Sequence, residues 1–88
     1  MDLGEQIVLT GFAEDEPGSI IIIKKIVGNF VKQFTQRHEG FERLTLTQEG
    51  ETVSGLLLVK GEKFVAQARD ENLFFALDAC LKSLERNA

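Results

Sequence analysis

Lys24, Lys25, Lys32 and Arg37 fall in a stretch without a single acid, and the chemistry that such a group suits is the neutralisation of phosphate. Lys and Arg bind a nucleic-acid backbone by releasing its condensed counterions, so cations free of competing carboxylates are the first requirement of such a surface. Residues 24–38 meet it, and Asn29 and Gln36 add amide groups that both donate and accept hydrogen bonds. The same lysines can equally form an ordinary solvated helix face, and composition alone does not separate the two readings.

Other chemistries find little material. His38 and Cys80 are the sole histidine and cysteine, and they fall on different elements. Cys80 sits at the apolar spacing of the last segment, which reads as inert packing rather than a nucleophile. His38 stands near the end of a helix, where a ring that can carry positive charge suits the helix dipole. Glu14, Asp15 and Glu16 read as a solvated turn, since a metal needs ligands clustered from several directions. Gly11, Gly18 and Gly28 lack the spacing of a phosphate-cradling fingerprint. No catalysis, metal or cofactor is expected.

Composition sets the bounds. The 88 residues suffice for one domain with one small core, and 43% hydrophobic with 27% charged residues is ordinary globular composition. One cysteine allows no internal disulfide, and no apolar run approaches the roughly 20 residues that span a bilayer. With no basic, apolar leader at the N-terminus, a soluble cytoplasmic protein without a membrane partner is expected. A net charge of -4 argues against nucleic acid until its distribution is considered. Asp2, Glu5, Glu14, Asp15 and Glu16 all precede residue 24, and no base does, so the acidity belongs to the first quarter of the chain.

The elements that must position the cations follow from pattern. Residues 6–12 (QIVLTGF) are rich in β-formers, and 43–49 (RLTLTQE) alternate with the period of a half-buried strand. Residues 53–60 and 63–69 follow across hairpin-length connections, which predicts an antiparallel three-strand meander. If Leu56 and Leu58 point into the core, Val53, Leu57 and Val59 point out, giving an open sheet face able to take a second copy or a protein partner. Residues 73–86 place Leu73, Leu77, Cys80, Leu81 and Leu84 at helical spacing, with Asn72 or Asp70 as cap.

Residues 20–38 decide the outcome. On a helical wheel Ile20, Ile23, Val27, Phe30, Val31 and Phe34 share one arc, and Lys25, Asn29, Lys32 and Gln36 the opposite one. A strand would mix lysine and asparagine with apolar residues on each face, so a helix is predicted, capped by Ser19 or Asp15. The alternative is a hairpin that pairs residues 6–12 with SIIIIKK, residues 19–25. The helix leaves Ile21 and Ile22 outside the core arc, to be covered by the acidic segment before them or by a partner. The order is then β-α-β-β-β-α, an α+β domain with two helices on one face of a four-stranded sheet.

With that order in place, the closing stretch Asp70-Glu71-Asn72-Leu73-Phe74-Phe75-Ala76-Leu77-Asp78-Ala79-Cys80-Leu81-Lys82-Ser83-Leu84-Glu85-Arg86 resembles the last helix of the ribosome hibernation promoting factor and ribosome-associated inhibitor family. Leu9-Thr10-Gly11 and Arg43-Leu44-Thr45-Leu46-Thr47 stand in the corresponding order, so the resemblance covers nearly the whole chain. It implies a short, single-domain form that docks on small-subunit rRNA and blocks translation under stress. The residues that would carry this are Lys24, Lys25, Asn29, Lys32, Gln36 and Arg37 on the first helix, and Phe75, Lys82 and Arg86 on the last. Recognition of that kind relies on phosphates and shape more than on base edges. The other class of function that the residues allow is an acidic protein-interaction or dimerisation module of the same fold.

Overall fold

The computed structural model describes residues 6–12 and 16–88. Among these the order is β1 (Ile7–Thr10), α1 (Pro17–Arg37), β2 (Phe41–Glu49), β3 (Thr52–Val59), β4 (Glu62–Arg69) and α2 (Leu73–Asn87). This is the expected α+β arrangement, a sheet ordered β1-β2-β3-β4 whose one face shares a core with both helices.

β1 lies parallel to β2, with Ile7 opposite Leu44 and Leu9 opposite Leu46. Parallel neighbours need a crossover, and α1 supplies it. β2, β3 and β4 form the antiparallel meander. Lys60 and Gly61, at φ 51° and 79°, turn β3 into β4 with the consecutive left-handed residues that match strand twist. Because β1 and β4 both run with β2, the helices that return from them run alongside each other in the same direction.

The core joins Leu9, Leu44, Leu46, Val53 and Leu57 of the sheet to Ile23, Val27 and Phe34 of α1 and Leu77, Cys80 and Leu84 of α2. Phe12, just beyond β1, is buried with them. Gly55 of β3 sits beneath α2, where a Cβ would stand 2.6 Å from Leu84 Cδ1 and 3.0 Å from Cys80 Sγ. The helix lies this near the sheet because residue 55 has no side chain. Asn72 caps α2, its Oδ1 accepting from the Phe74 and Phe75 N–H groups at 2.9 and 3.4 Å.

Several expectations are corrected. β1 is shorter than residues 6–12, and β2 begins at Phe41, ahead of an irregularity in register between Phe41 and Arg43. α1 begins at Pro17, so all four isoleucines are helical and the hairpin of residues 6–12 with SIIIIKK is excluded. Proline's fixed φ and missing N–H suit the first helical turn, which starts the helix earlier than the apolar pattern does. Ser19 therefore lies inside the helix and caps nothing, and Glu16 at the cap position makes no side-chain cap; Asp15 lies outside the described residues.

The faces of β3 are also reversed. Val53 and Leu57 are fully buried and Val59 shares their side, while Leu56 and Leu58 are half-buried on the open face. The cause is register. Leu44 and Leu46 face the helices opposite Leu57 and Gly55, which leaves Thr45 and Thr47 on the open face opposite Leu56 and Ser54. The open face remains uncovered among the described residues, with Val65 67% exposed next to Leu56. No helix among the described residues is long and apolar enough to cross a membrane.

Candidate nucleic-acid interface

α1 places the sequence-selected cations on its solvent side. Ile23, Val27 and Phe34 are held in the core, so Lys24, Lys25, Asn29, Lys32, Gln36 and Arg37 are all exposed. Gln33 and Thr35 share the exposed surface, although the wheel drew attention only to the stripe through Lys25 and Lys32. The signal that would have included them is the absence of any acid from Pro17 to Arg37. Lys24, Lys25 and Lys32 have no ion-pair partner among the described residues, so their ammonium groups face water.

Gly28 lies among them. It is exposed, and a Cβ built there would meet nothing within 4 Å. A glycine inside a helix costs about 1 kcal/mol relative to alanine. No contact within the described fold offsets that cost.

α2 contributes differently. Lys82 pairs with Asp78 at 2.9 Å one turn away, and Arg86 Nη2 donates to Ser83 Oγ at 3.1 Å. Arg37, at the end of α1, reaches Glu85 at 3.3 Å and ties the two helices together. Exposed pairs of this kind contribute about 0–1 kcal/mol, so a phosphate can compete for these cations. The face of α2 is nonetheless balanced in sign, and among the described residues the lysines of the helix layer without an ion-pair partner belong to α1. Phe75 projects from the start of α2 at 65% exposure, at the same end of the layer as Ile21 (57%) and Ile22 (48%). A groove between the helices is floored by Ile26, Phe30 and Leu81 and edged by Asn29, Gln33 and the Asp78–Lys82 pair.

The nucleophile and base candidates, Cys80 and His38, both pack against other residues of the fold. Cys80 is fully buried with Sγ 3.7 Å from the Ala66 carbonyl, and burial pushes its thiol up from 9.0 to about 11, away from thiolate chemistry. The His38 ring stacks on Phe34 with centroids 4.4 Å apart, and its backbone N–H closes α1 on the Phe34 carbonyl. Glu14 and Asp15 lie outside the described residues, and no cluster of three metal-ligating side chains occurs among those described.

Neither a family model nor a curated protein matches the sequence. Solved structures do. The chain is similar to the N-terminal domain of Thermus thermophilus protein Y, with a TM-score of 0.62 and 14% identity over 91% of this chain and 89% of that one. It is also similar to a ribosomal subunit interface protein from Coxiella burnetii, with a TM-score of 0.56 and 13% identity over 93% of this chain and 91% of that one. At these identities the likeness is one of fold, the β-α-β-β-β-α arrangement expected from the order of elements in the sequence.

Proposed function

We propose that the chain is a ribosome-associated, hibernation-type translation inhibitor that binds small-subunit rRNA through the outer face of α1. The observation that carries this reading is the acid-free face itself, with Lys24, Lys25 and Lys32 exposed and unpaired among the described residues on a chain that is acidic elsewhere. The shared fold with a ribosomal subunit interface protein supports it, as does the resemblance of residues 70–86. Arg37, Lys82 and Arg86 act as secondary contacts, reached by exchanging an internal partner for a phosphate, and Phe75 offers a ring to an unpaired base. The work takes place in the cytoplasm, where the ribosomes are.

The test is sedimentation of the purified protein with small ribosomal subunits. Binding is expected at low salt, with a log–log salt slope of about -2 to -3 for three lysine–phosphate contacts. Lys25→Glu/Lys32→Glu should abolish it. Absence of the wild type from the subunit pellet at low salt would refute the reading.

The open sheet face favours a second reading, a module that pairs with itself or with another protein, because Leu56 and Val65 form an exposed apolar strip. Light scattering decides this one: a dimer that Leu56→Asp/Val65→Asp dissociates would establish it.

A further inference from the structure

We infer that Gly28 is the point at which a sugar–phosphate backbone lies directly against α1. This rests on the reading of α1 as the rRNA-binding surface and adds how the strand is seated. Lys24 and Lys32 each stand four residues from Gly28, one helical turn or about 6 Å along the axis on either side, and Lys25 stands three residues away. The three ammonium groups thus flank a place where the helix backbone is bare. Alanine would fit, since nothing among the described residues occupies the space its methyl would take, and would make the better helix. A glycine in the middle of a helix, flanked by three lysines and relieving no contact among the described residues, is accounted for by a ligand that needs the space. Glycine supplies that space wherever another backbone must come close.

The charge identifies the occupant as a polyanion. Among polyanions a nucleic-acid strand fits best, because Asn29, Gln33 and Gln36 alongside the lysines present the mixed donors and acceptors that pair with phosphate oxygens and 2′-OH groups. An acidic peptide would call for cations with few amides.

The experiment measures binding to small ribosomal subunits and thermal melting for the wild type, Gly28→Ala and Lys25→Glu/Lys32→Glu. Gly18→Ala serves as control, since its added methyl also meets nothing and it lies near the start of α1, ten residues away. Gly28→Ala is expected to raise Tm yet weaken binding about fivefold or more, a loss of about 1 kcal/mol, while Gly18→Ala binds as the wild type does. Binding by Gly28→Ala equal to wild type, with the charge reversal inactive, would overturn close approach and leave the basic surface standing. A lowered Tm would assign Gly28 a role inside the fold and overturn the inference. Equal losses in both glycine variants would do the same. If the wild type does not bind, both the reading of α1 and the inference fall. Competition by poly(U) but not by polyglutamate of equal length is expected, and the reverse would assign the surface to an acidic protein.

Discussion

Replacing Gly55 with alanine tests whether the spacing between α2 and the sheet is set where the structure places it. The new Cβ would stand 2.6 Å from Leu84 Cδ1, 3.0 Å from Cys80 Sγ and 3.2 Å from Leu46 Cδ2. Carbon atoms in good contact are about 3.5–4.0 Å apart, so the Leu84 methyl must retreat by about 1 Å. Leu84, Cys80 and Leu46 are all fully buried, and they belong to α2 and to the neighbouring strand, so one rotamer change does not clear the three contacts. Overpacking of this kind costs about 1–3 kcal/mol. Alanine returns about 0.4–1 kcal/mol by restricting the unfolded chain, which leaves a net loss of about 1–2 kcal/mol. For a domain of this size that is a Tm lower by about 4–16 °C, read by circular dichroism at 222 nm. Leu84→Ala alone should cost about 2–5 kcal/mol by opening a cavity, and the new methyl fills part of that cavity. The double variant should therefore be more stable than the two single losses predict by about 1 kcal/mol or more. An unchanged or raised Tm for Gly55→Ala, or strict additivity in the double variant, would refute the reasoning.

Asn72→Ala removes the side-chain acceptor of two N–H groups at the start of α2 and should cost about 1 kcal/mol, seen as a Tm about 4–8 °C lower. Leu57→Asp places a carboxylate in the core and should leave the chain unfolded at room temperature by circular dichroism, whereas Leu56→Asp on the open face should fold. Cys80 holds its proton more tightly folded than unfolded, so the contribution is intact below pH 9.0 and lost as pH rises to about 11. Urea titrations should show stability falling over that interval more steeply in the wild type than in Cys80→Ala, which keeps every other titrating group.

The order of elements was legible because each signal was local. Apolar spacing marked residues 73–86, Leu–Thr alternation marked β2, and glycine-bearing turns separated the strands. The orientation of β3 was harder to read, because Leu56, Leu57 and Leu58 are consecutive and satisfy either face. The neighbours carried the answer: Val53, Gly55, Leu57 and Val59 are all non-polar, while the opposite set includes Ser54 and Lys60. The start of α1 is open in the sequence between Ser19 and Asp15 as caps, because both are good caps by type, and Pro17 at the first helical position decides against Ser19. Of the candidate site, the α1 stripe could be read from the wheel. The partner of Arg37 could be fixed only once α2 was docked beside α1, since Arg37 and Glu85 are 48 residues apart, whereas the Asp78–Lys82 pair already follows from i,i+4 spacing on one helix.

α1 holds four of the ten bases and none of the fourteen acids. Glu49 and Glu51 flank the β2–β3 turn, and the Asp70 N–H donates to the Glu51 carbonyl, which brings Asp70 and Glu71 to the same end of the sheet. The chain thus carries an acid-free helix despite its net negative charge. Near a large polyanion such a molecule experiences a torque before it experiences contact: the lysine face of α1 is drawn in and the surfaces that carry carboxylates are turned away. The acidity of the rest of the chain then narrows the angle of approach, because orientations that lead with its carboxylates are repelled.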